Sequence, residues 1–142
     1  MGNKNSEYLL IHPVRRSDPK SKKFWEGNWL ITNVEMKAGS FAGKIVASLR
    51  TDEFYRFYQE LSSLYITIPG KASFLSMEDW LEIRIKGDGK GNFTADCDAK
   101  DQSGAGSFLK FRLQLDYTHI PDILSGLEEI LKKFPVIGKP EG

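Results

Sequence analysis

The chain has 142 residues, of which 40% are hydrophobic and 27% charged, and its formal net charge is +1. A chain of this length can bury a core without metal or disulfide bonds, and no apolar run approaches the roughly 20 residues that span a bilayer. The composition is typical of one soluble domain and excludes disordered and membrane-spanning classes. Cys97 is the single cysteine, which excludes an internal disulfide and favours a cytoplasmic protein.

Charge is distributed unevenly along the chain. Residues 1–50 hold 9 basic and 4 acidic side chains, whereas residues 51–142 hold 11 and 15. The basic excess lies between residues 15 and 23, among prolines, so we predict a flexible basic arm over residues 1–27 and a single domain over residues 28–142. The domain lacks a basic stripe with interleaved aromatic residues, and neither nucleic acid nor membrane is an expected partner.

The first part of this domain predicts a hairpin followed by a helix. Residues 29–36 and 41–49 are strand candidates joined by a short glycine turn. Thr51 and Asp52 are expected to cap the helix that follows. Its apolar residues recur at spacings of three and four, which places them on one face that can cover a sheet: Phe54, Phe57, Tyr58, Leu61 and Leu64.

The second part predicts four more strands and a closing helix. Apolar and polar residues alternate in 81–86 and again in 93–98, around the turn 87–91, which is typical of a half-buried hairpin. Thr118 is expected to cap the last helix, and Pro135 to end it. We therefore predict an α+β fold, with an antiparallel sheet of about six strands in the order ββαββββα and two amphipathic helices on one face.

Strand register can be predicted by requiring that one face stay apolar. Around the turn 87–91, this requirement favours pairing Ile85 with Phe93 and Ile83 with Ala95. Across the 101–106 loop it pairs Cys97 with Phe111, and it sets acids opposite bases on the outer face, with Asp98 facing Lys110 and Asp96 facing Arg112. These cross-strand charge pairs account for the presence of Asp96 and Asp98 on the strand, so no bound ligand is needed to explain them.

The usual catalytic and metal-binding patterns are absent from the sequence. The acids from Asp88 to Asp101 do not have the spacing of a calcium-binding loop, and the glycine turn 87–91 leads into a strand instead of the helix of a phosphate-binding loop. His12 and His119 are the only imidazoles, and Cys97 points toward the predicted core. We therefore expect no enzyme, no cofactor and no metal, and a binding protein is the interpretation that is left.

The sequence resembles the WapI-type bacterial immunity proteins and their uncharacterised relatives over residues 28–134. The resemblance is carried by Phe41-Ala42-Gly43, Phe57 with Leu61, Gly70-Lys71-Ala72, Leu81-Glu82-Ile83, Gly91-Asn92-Phe93, and Phe111–Asp116 leading to Leu124 and Leu127. It implies a cytoplasmic protein that neutralises a polymorphic toxin by binding its C-terminal domain, commonly a nuclease. That role requires no active site.

The acidic outer face is the candidate partner-binding site. If the toxin is a basic nuclease, we expect it to contact Glu82, Asp96 and Asp98 together with the loop acid Asp101. Two alternatives stay open. A small-ligand or protein-interaction domain would need an apolar pocket near Trp25, Trp29 or Trp80. An enzyme would need titratable groups that converge in such a pocket.

Overall fold

The structure, a computed structural model, describes residues 1–2, 7–66, 70–102 and 105–140, without the side chain at position 105. These residues contain seven strands and three helices. The strands are β1 (Tyr8–Arg16), β2 (Trp29–Ala38), β3 (Phe41–Arg50), β4 (Lys71–Leu75), β5 (Leu81–Gly87), β6 (Asn92–Gln102) and β7 (Ala105–Asp116). The helices are α1 (Phe24–Gly27), α2 (Thr51–Ile66) and α3 (His119–Lys133).

The strands form two antiparallel sheets, which we call sheet A (β1-β2-β3) and sheet B (β4-β5-β6-β7). The α+β class is confirmed, but the prediction of one sheet with about six strands is wrong. The chain leaves β3 through helix α2 and returns as β4, whose strand partner is β5. Helix α2 thus separates the strands into two sheets instead of lengthening one.

Strand β1 lies inside the segment that was predicted to be a flexible arm. It pairs with β2 from Tyr8 opposite Lys37 to Arg16 opposite Leu30, with a register shift between Pro13 and Arg15. The arm prediction is therefore wrong for residues 8–16. An edge strand tolerates a proline, which explains how Pro13 interrupts the sequence pattern without preventing the pairing. The assignment of residues 28–142 to a single domain stays a prediction.

The core is built from both sheets and the two long helices. Leu49 of sheet A, Ile83 of sheet B, Phe57 of α2 and Leu127 of α3 are buried in one hydrophobic cluster. The predicted apolar faces of α2 and α3 are confirmed, since their stripe residues are buried or pack against this cluster. Among the described residues, no helix combines the length and apolar character that crossing a membrane requires.

The hairpin between β5 and β6 has a different register from the predicted one. Ile85 lies opposite Ala95, and Ile83 opposite Cys97, so the strands are shifted by two residues while the same face stays apolar. The side chain of Asp88 sets this register because its Oδ1 accepts the N–H groups of Lys90 (2.6 Å) and Asn92 (3.1 Å). These two hydrogen bonds hold the pKa of Asp88 below its usual range.

The register between β6 and β7 is the predicted one. Cys97 lies opposite Phe111, Asp98 opposite Lys110, and Asp96 opposite Arg112. Opposite charges therefore face each other across these two strands, as expected from the alternation of the sequence.

The helix caps differ from the predicted ones. The hydroxyl of Thr51 is buried without a hydrogen-bond partner, and Asp52 accepts a hydrogen bond from Arg50 Nε at 2.9 Å. Glu53 takes the capping role, because its Oε1 accepts the N–H of Arg50 at 2.8 Å. The hydroxyl of Thr118 donates to Asp116 and makes no cap hydrogen bond with α3.

Arg50 is buried where β3 meets α2. Its guanidinium donates to the carbonyl oxygens of Trp25 (2.9 Å) and Phe24 (2.8 Å), and its Cζ lies 5.0, 5.1 and 4.9 Å from the ring centres of Phe24, Trp25 and Trp29. Hydrogen bonds and cation–π contacts thus fix α1 against the end of sheet A.

Candidate partner-binding face

The outer face of sheet B presents polar side chains that alternate with the core. On β5, Leu81, Ile83 and Ile85 are buried, whereas Arg84 and Lys86 are exposed. On β6, the buried residues alternate with half-buried polar ones in the same way. The polar residues of neighbouring strands share one surface because directly paired residues point to the same side.

Three of the four predicted site residues lie together on this face. Glu82 pairs with Asp98 across β5 and β6, and Asp96 pairs with Arg84 one row away. Asp101 lies near the end of the β6–β7 hairpin, where its Oδ1 accepts the N–H of Ser107 at 2.9 Å. The face therefore brings together Glu82, Asp96 and Asp98, while Asp101 contributes to the hairpin end.

Arginine side chains neutralise the acids of the face. Arg84 lies 2.8 Å from Glu82 and 4.0 Å from Asp98, so it bridges the two carboxylates that the register places opposite each other. Arg112 lies 2.7 Å from Asp96. The face consequently presents alternating charges instead of a uniformly acidic field, and it favours a partner with a matching charge pattern.

Apolar side chains at one end of the face were missed by the sequence analysis. Phe108 on β7 is 59% exposed and pairs with Lys100, and Leu75 on β4 is 44% exposed and pairs with Glu82. A depression of about 220 Å³ lies beside Phe108 and is lined by Asp79, Leu81, Glu82, Asp98, Lys100, Phe108 and Lys110. Phe108 and Lys110 are two residues apart on β7, so their side chains lie on the same face of the strand. Because the sequence already placed Lys110 on the outer face, it could also have placed Phe108 there.

An ion pair continues the charge alternation at this end of the face. Lys100 Nζ lies 3.1 Å from Asp79, in the turn that precedes β5. Asp79 has a positive φ of 64°, an uncommon conformation for a residue other than glycine. The turn is also held by Ser76, whose Oγ accepts the N–H groups of Trp80 (2.8 Å) and Leu81 (3.1 Å). These contacts fix the turn beside the depression.

The side chains considered for nucleophilic chemistry are separated. Cys97 is buried on β6 of sheet B, and burial together with the charges of Asp96 and Asp98 raises the pKa of its thiol to about 12. His12 lies on β1 of sheet A, and His119 accepts the N–H of Asp116 through Nδ1 at 3.0 Å. Within the described ranges, no three His, Cys, Asp or Glu side chains are grouped to hold a metal ion.

Comparison with protein families identifies the chain. A model of the family described as immunity protein WapI-like matches residues 1–135. The chain belongs to the WapI-like immunity protein family. The match includes β1 and the residues before it, so the family relationship extends beyond the region where the sequence resemblance was recognised.

Comparisons with individual proteins add little to this assignment. No curated protein matches this WapI-like protein. Among solved structures, a chain from the crystal structures of Trypanosoma brucei MRP1/MRP2 is similar, with 10% sequence identity and a TM-score of 0.43. The similarity covers 90% of the WapI-like chain and 86% of the other chain.

The tryptophans of this WapI-like protein, near which a pocket was predicted, pack against other side chains. Trp25 and Trp29 pack against Arg50, and Trp80 packs against the hydrophobic core with its indole N–H buried and unpaired. A cleft of about 430 Å³ lies elsewhere, between β1 and α3. This cleft lies away from the tryptophans, whereas the smaller depression of about 220 Å³ is lined by Asp79 and Leu81, the two neighbours of Trp80.

Proposed function

We propose that this protein is a non-catalytic immunity protein that binds the C-terminal toxin domain of a polymorphic bacterial toxin and neutralises it in the cytoplasm. Membership of the WapI-like immunity family over residues 1–135 carries this proposal. The toxin domain that we propose as partner is a nuclease with a basic surface.

The outer face of sheet B is the surface that we propose for the toxin. Its strands pack on the core behind it, so the face is rigid and changes little on binding. Stable complexes bury roughly 800 Å² on each partner, usually with apolar side chains at the centre and polar ones at the rim. The exposed ring of Phe108 beside alternating charges fits this composition.

The acids are the groups of this face that a basic partner can contact. Glu82, Asp96 and Asp98 are held by Arg84 and Arg112 on a solvent-accessible surface. Exposed ion pairs of this kind stabilise the fold by only about 0–1 kcal/mol, so a toxin lysine or arginine can replace one partner at small cost. Asp101 extends the acidic contact to the hairpin end.

Complex formation with the neighbouring gene product tests the proposed function. The toxin domain is the variable C-terminal domain of a large secreted protein encoded by an adjacent gene. We expect the two proteins to co-purify and the toxin to lose its toxicity when both are expressed. A toxin domain of unrelated sequence is the control. Absence of a complex between the purified cognate proteins would contradict the proposal.

A further inference from the structure

The segment from the end of β1 through α1 is basic. Residues 15–26 hold five basic and two acidic side chains, a net charge of +3, whereas the whole chain carries only +1. Four of the basic side chains are exposed, and none of these forms an ion pair with a described residue: Arg15, Lys20, Lys22 and Lys23. Asp18 and Glu26, the two acids, offset only part of this charge. The segment is therefore a positive surface on a protein whose other residues are net acidic.

Residues after α3 hold this segment at both of its ends. At one end, Arg16 donates to the carbonyl oxygens of Gly27, at 2.7 Å, and of Pro135. At the other end, the side chain of Asn28 binds both backbone groups of Ile137. Its Nδ2 donates to the carbonyl oxygen at 2.9 Å, and its Oδ1 accepts the N–H at 3.0 Å. The basic side chains are thus presented from a fixed backbone instead of a flexible arm.

Trp25 presents an aromatic ring beside these charges and is 49% exposed. The guanidinium of Arg50 lies over the ring, 5.1 Å from its centre, and the ring of Phe24 packs edge-on at 4.8 Å. The indole N–H donates to the carbonyl oxygen of Pro140 at 3.2 Å. The ring is therefore held in one orientation with its only donor already paired, so its exposed part offers a surface for stacking.

Arg15 reaches the same part of the surface from sheet A. It lies opposite Ile31 on β2. Trp29 lies two residues from Ile31 on that strand and so on the same face, and its ring lies 4.9 Å from the Arg50 guanidinium that also contacts Trp25. Basic side chains therefore approach Trp25 both from β1 and from the residues just before α1. We call Arg15, Lys20, Lys22, Lys23 and Trp25 the basic surface.

Neighbouring parts of the chain leave this positive charge in place. The end of α3 carries two acids and two bases: Glu128, Glu129, Lys132 and Lys133. The residues after Pro135 carry one base and one acid, Lys139 and Glu141. Each of these stretches is neutral in total, so neither cancels the charge of residues 15–26. The basic surface consequently favours an anionic partner.

We propose that the basic surface binds single-stranded nucleic acid, with one base stacked on Trp25 and the neighbouring phosphates contacted by Arg15 and the three lysines. An unpaired strand offers phosphates and free base faces together, and proteins bind it with positive charge beside aromatic rings. An acidic protein would match the charge but would not use the exposed ring. In a duplex, the bases are stacked on one another and are not free to stack on Trp25.

This inference goes beyond the proposed function and does not depend on it. No nucleic-acid partner was expected, because the domain predicted over residues 28–142 lacks a basic stripe with interleaved aromatic residues. The basic surface lies before residue 28, in the segment that was predicted to be a flexible arm. Pairing of β1 with β2 and the contacts of Asn28 turn that segment into a structured surface.

Fluorescence anisotropy with a labelled oligodeoxythymidine of about twelve nucleotides tests the proposal on the full chain. We expect a plot of log affinity against log salt concentration to have a slope of about −2 to −3, as for three or four phosphate contacts with a single strand. An abasic oligomer of the same length keeps the phosphates and lacks the bases, so it should bind at least about five-fold more weakly. No binding at about 50 mM salt, or equal binding of the two oligomers, would overturn the proposal.

Two further probes separate the possible anionic partners. A duplex of the same length and a polyglutamate peptide with the same number of charges are titrated under the same conditions. We expect both to bind more weakly than the single strand, because neither places a free base on Trp25. Equal or tighter binding of polyglutamate would replace nucleic acid by an acidic protein as the partner, and equal or tighter binding of the duplex would exclude stacking.

Two matched double variants locate the phosphate contacts. Lys22→Gln with Lys23→Gln should weaken oligonucleotide binding about ten-fold at low salt and make the salt slope shallower by about one. Lys71→Gln with Lys86→Gln makes the same change in net charge on sheet B, where both lysines are exposed and lie opposite each other. This control should change the affinity by less than about two-fold. Equal losses in the two double variants would mean that total charge, and not the basic surface, determines binding.

Two substitutions of Trp25 test the stacking. Trp25→Phe and Trp25→Leu both lose the hydrogen bond to Pro140, but only the first keeps an aromatic ring. We expect Trp25→Phe to retain the preference for the oligonucleotide over the abasic oligomer, and Trp25→Leu to lose it. The same preference in both variants would overturn the role of the ring. Thermal unfolding verifies that each variant folds, and the abasic comparison on the unaltered protein decides the question if one does not.

Discussion

The carboxylate of Glu53 accepts the backbone N–H of Arg50 at 2.8 Å, across the junction between β3 and α2. Its second oxygen accepts the N–H of Met77, in the turn between β4 and β5. One side chain therefore connects the start of α2 to a turn of sheet B. Burial raises the pKa of Glu53 to about 7 from its ordinary 4.5, although both N–H donors favour the carboxylate.

This raised pKa predicts that stability falls as pH rises. Between about pH 4.5 and pH 7, the unfolded chain releases the Glu53 proton while the folded chain retains it, so the free energy of unfolding decreases across that window. Glu53→Gln removes the titratable carboxyl group. The free energy of unfolding, measured by urea denaturation at several pH values, should therefore depend less on pH. Glu60→Gln is the control, since Glu60 also lies on α2 and accepts a backbone N–H, that of Ser73. Equal slopes for both variants would contradict the prediction.

The buried guanidinium of Arg50 gives a second prediction. Arg50→Met keeps an unbranched side chain but removes the Arg50 donor from the carbonyl oxygen of Trp25, leaves that of Phe24 with Asn28 Nδ2 as its donor, and breaks the ion pair of Asp52. We expect the free energy of unfolding to fall by about 3 kcal/mol or more, as for other broken buried ion pairs.

Arg112→Met is the control for the Arg50 substitution. Arg112 forms an ion pair with Asp96, but its side chain is largely exposed. Its loss should cost less than about 1 kcal/mol in the same chemical denaturation experiment. A cost for Arg50→Met as small as that for Arg112→Met would show that the aromatic cluster does not depend on the charge.

Periodicity predicted α2 and α3 well because burial determines their patterns, whereas the short helix α1 lies in the segment that was predicted to be an arm. The stripes of α2 and α3 place Phe57 and Leu127 in the core as expected. Strand β1 was missed because Pro13 and the two arginines that follow it interrupt the alternation. Pairing with β2 compensates for that local pattern, and the pairing depends on contacts that are distant in the sequence.

The site was predicted less completely than the fold. Alternation correctly placed Glu82, Asp96 and Asp98 on one face, and the β6–β7 register supplied Arg112 as a partner of Asp96. The two-residue shift in register between β5 and β6 could not be predicted from the alternation of apolar and polar residues. A shift of two residues leaves every side chain on the same face of the sheet. That shift places Glu82 opposite Asp98, so that Arg84 contacts both.

Charge reversal at Asp98 tests the electrostatic part of the proposed interface. Asp98→Lys removes a partner of Arg84 and places a lysine opposite Lys110. We expect a loss of about 1 kcal/mol in stability, and a several-fold slower association with a basic toxin domain that becomes less sensitive to salt. Stopped-flow association at two ionic strengths measures the effect.

Glu35→Lys is the control for the reversal at Asp98. Glu35 lies on sheet A and forms a comparable exposed ion pair with Lys44, at 3.6 Å. This substitution makes the same change in net charge at a different surface. If both reversals slow association equally, the effect reflects total charge, and the outer face of sheet B has no special role in binding the toxin.

The exposed ring of Phe108 gives the most direct test of the face. Phe108→Ser removes apolar area that is 59% exposed in the free protein, so it should change the free energy of unfolding by less than about 1 kcal/mol. If the ring is buried by the toxin, affinity should fall by roughly ten-fold or more, as for aromatic side chains at the centre of an interface. Phe41→Ser is the matched control, because Phe41 is 67% exposed and lies on sheet A. Isothermal titration calorimetry with the cognate toxin domain measures both affinities. An equal affinity for the two variants would place the toxin away from Phe108, whereas selective loss in Phe108→Ser would locate the contact at the end of the face next to Lys100.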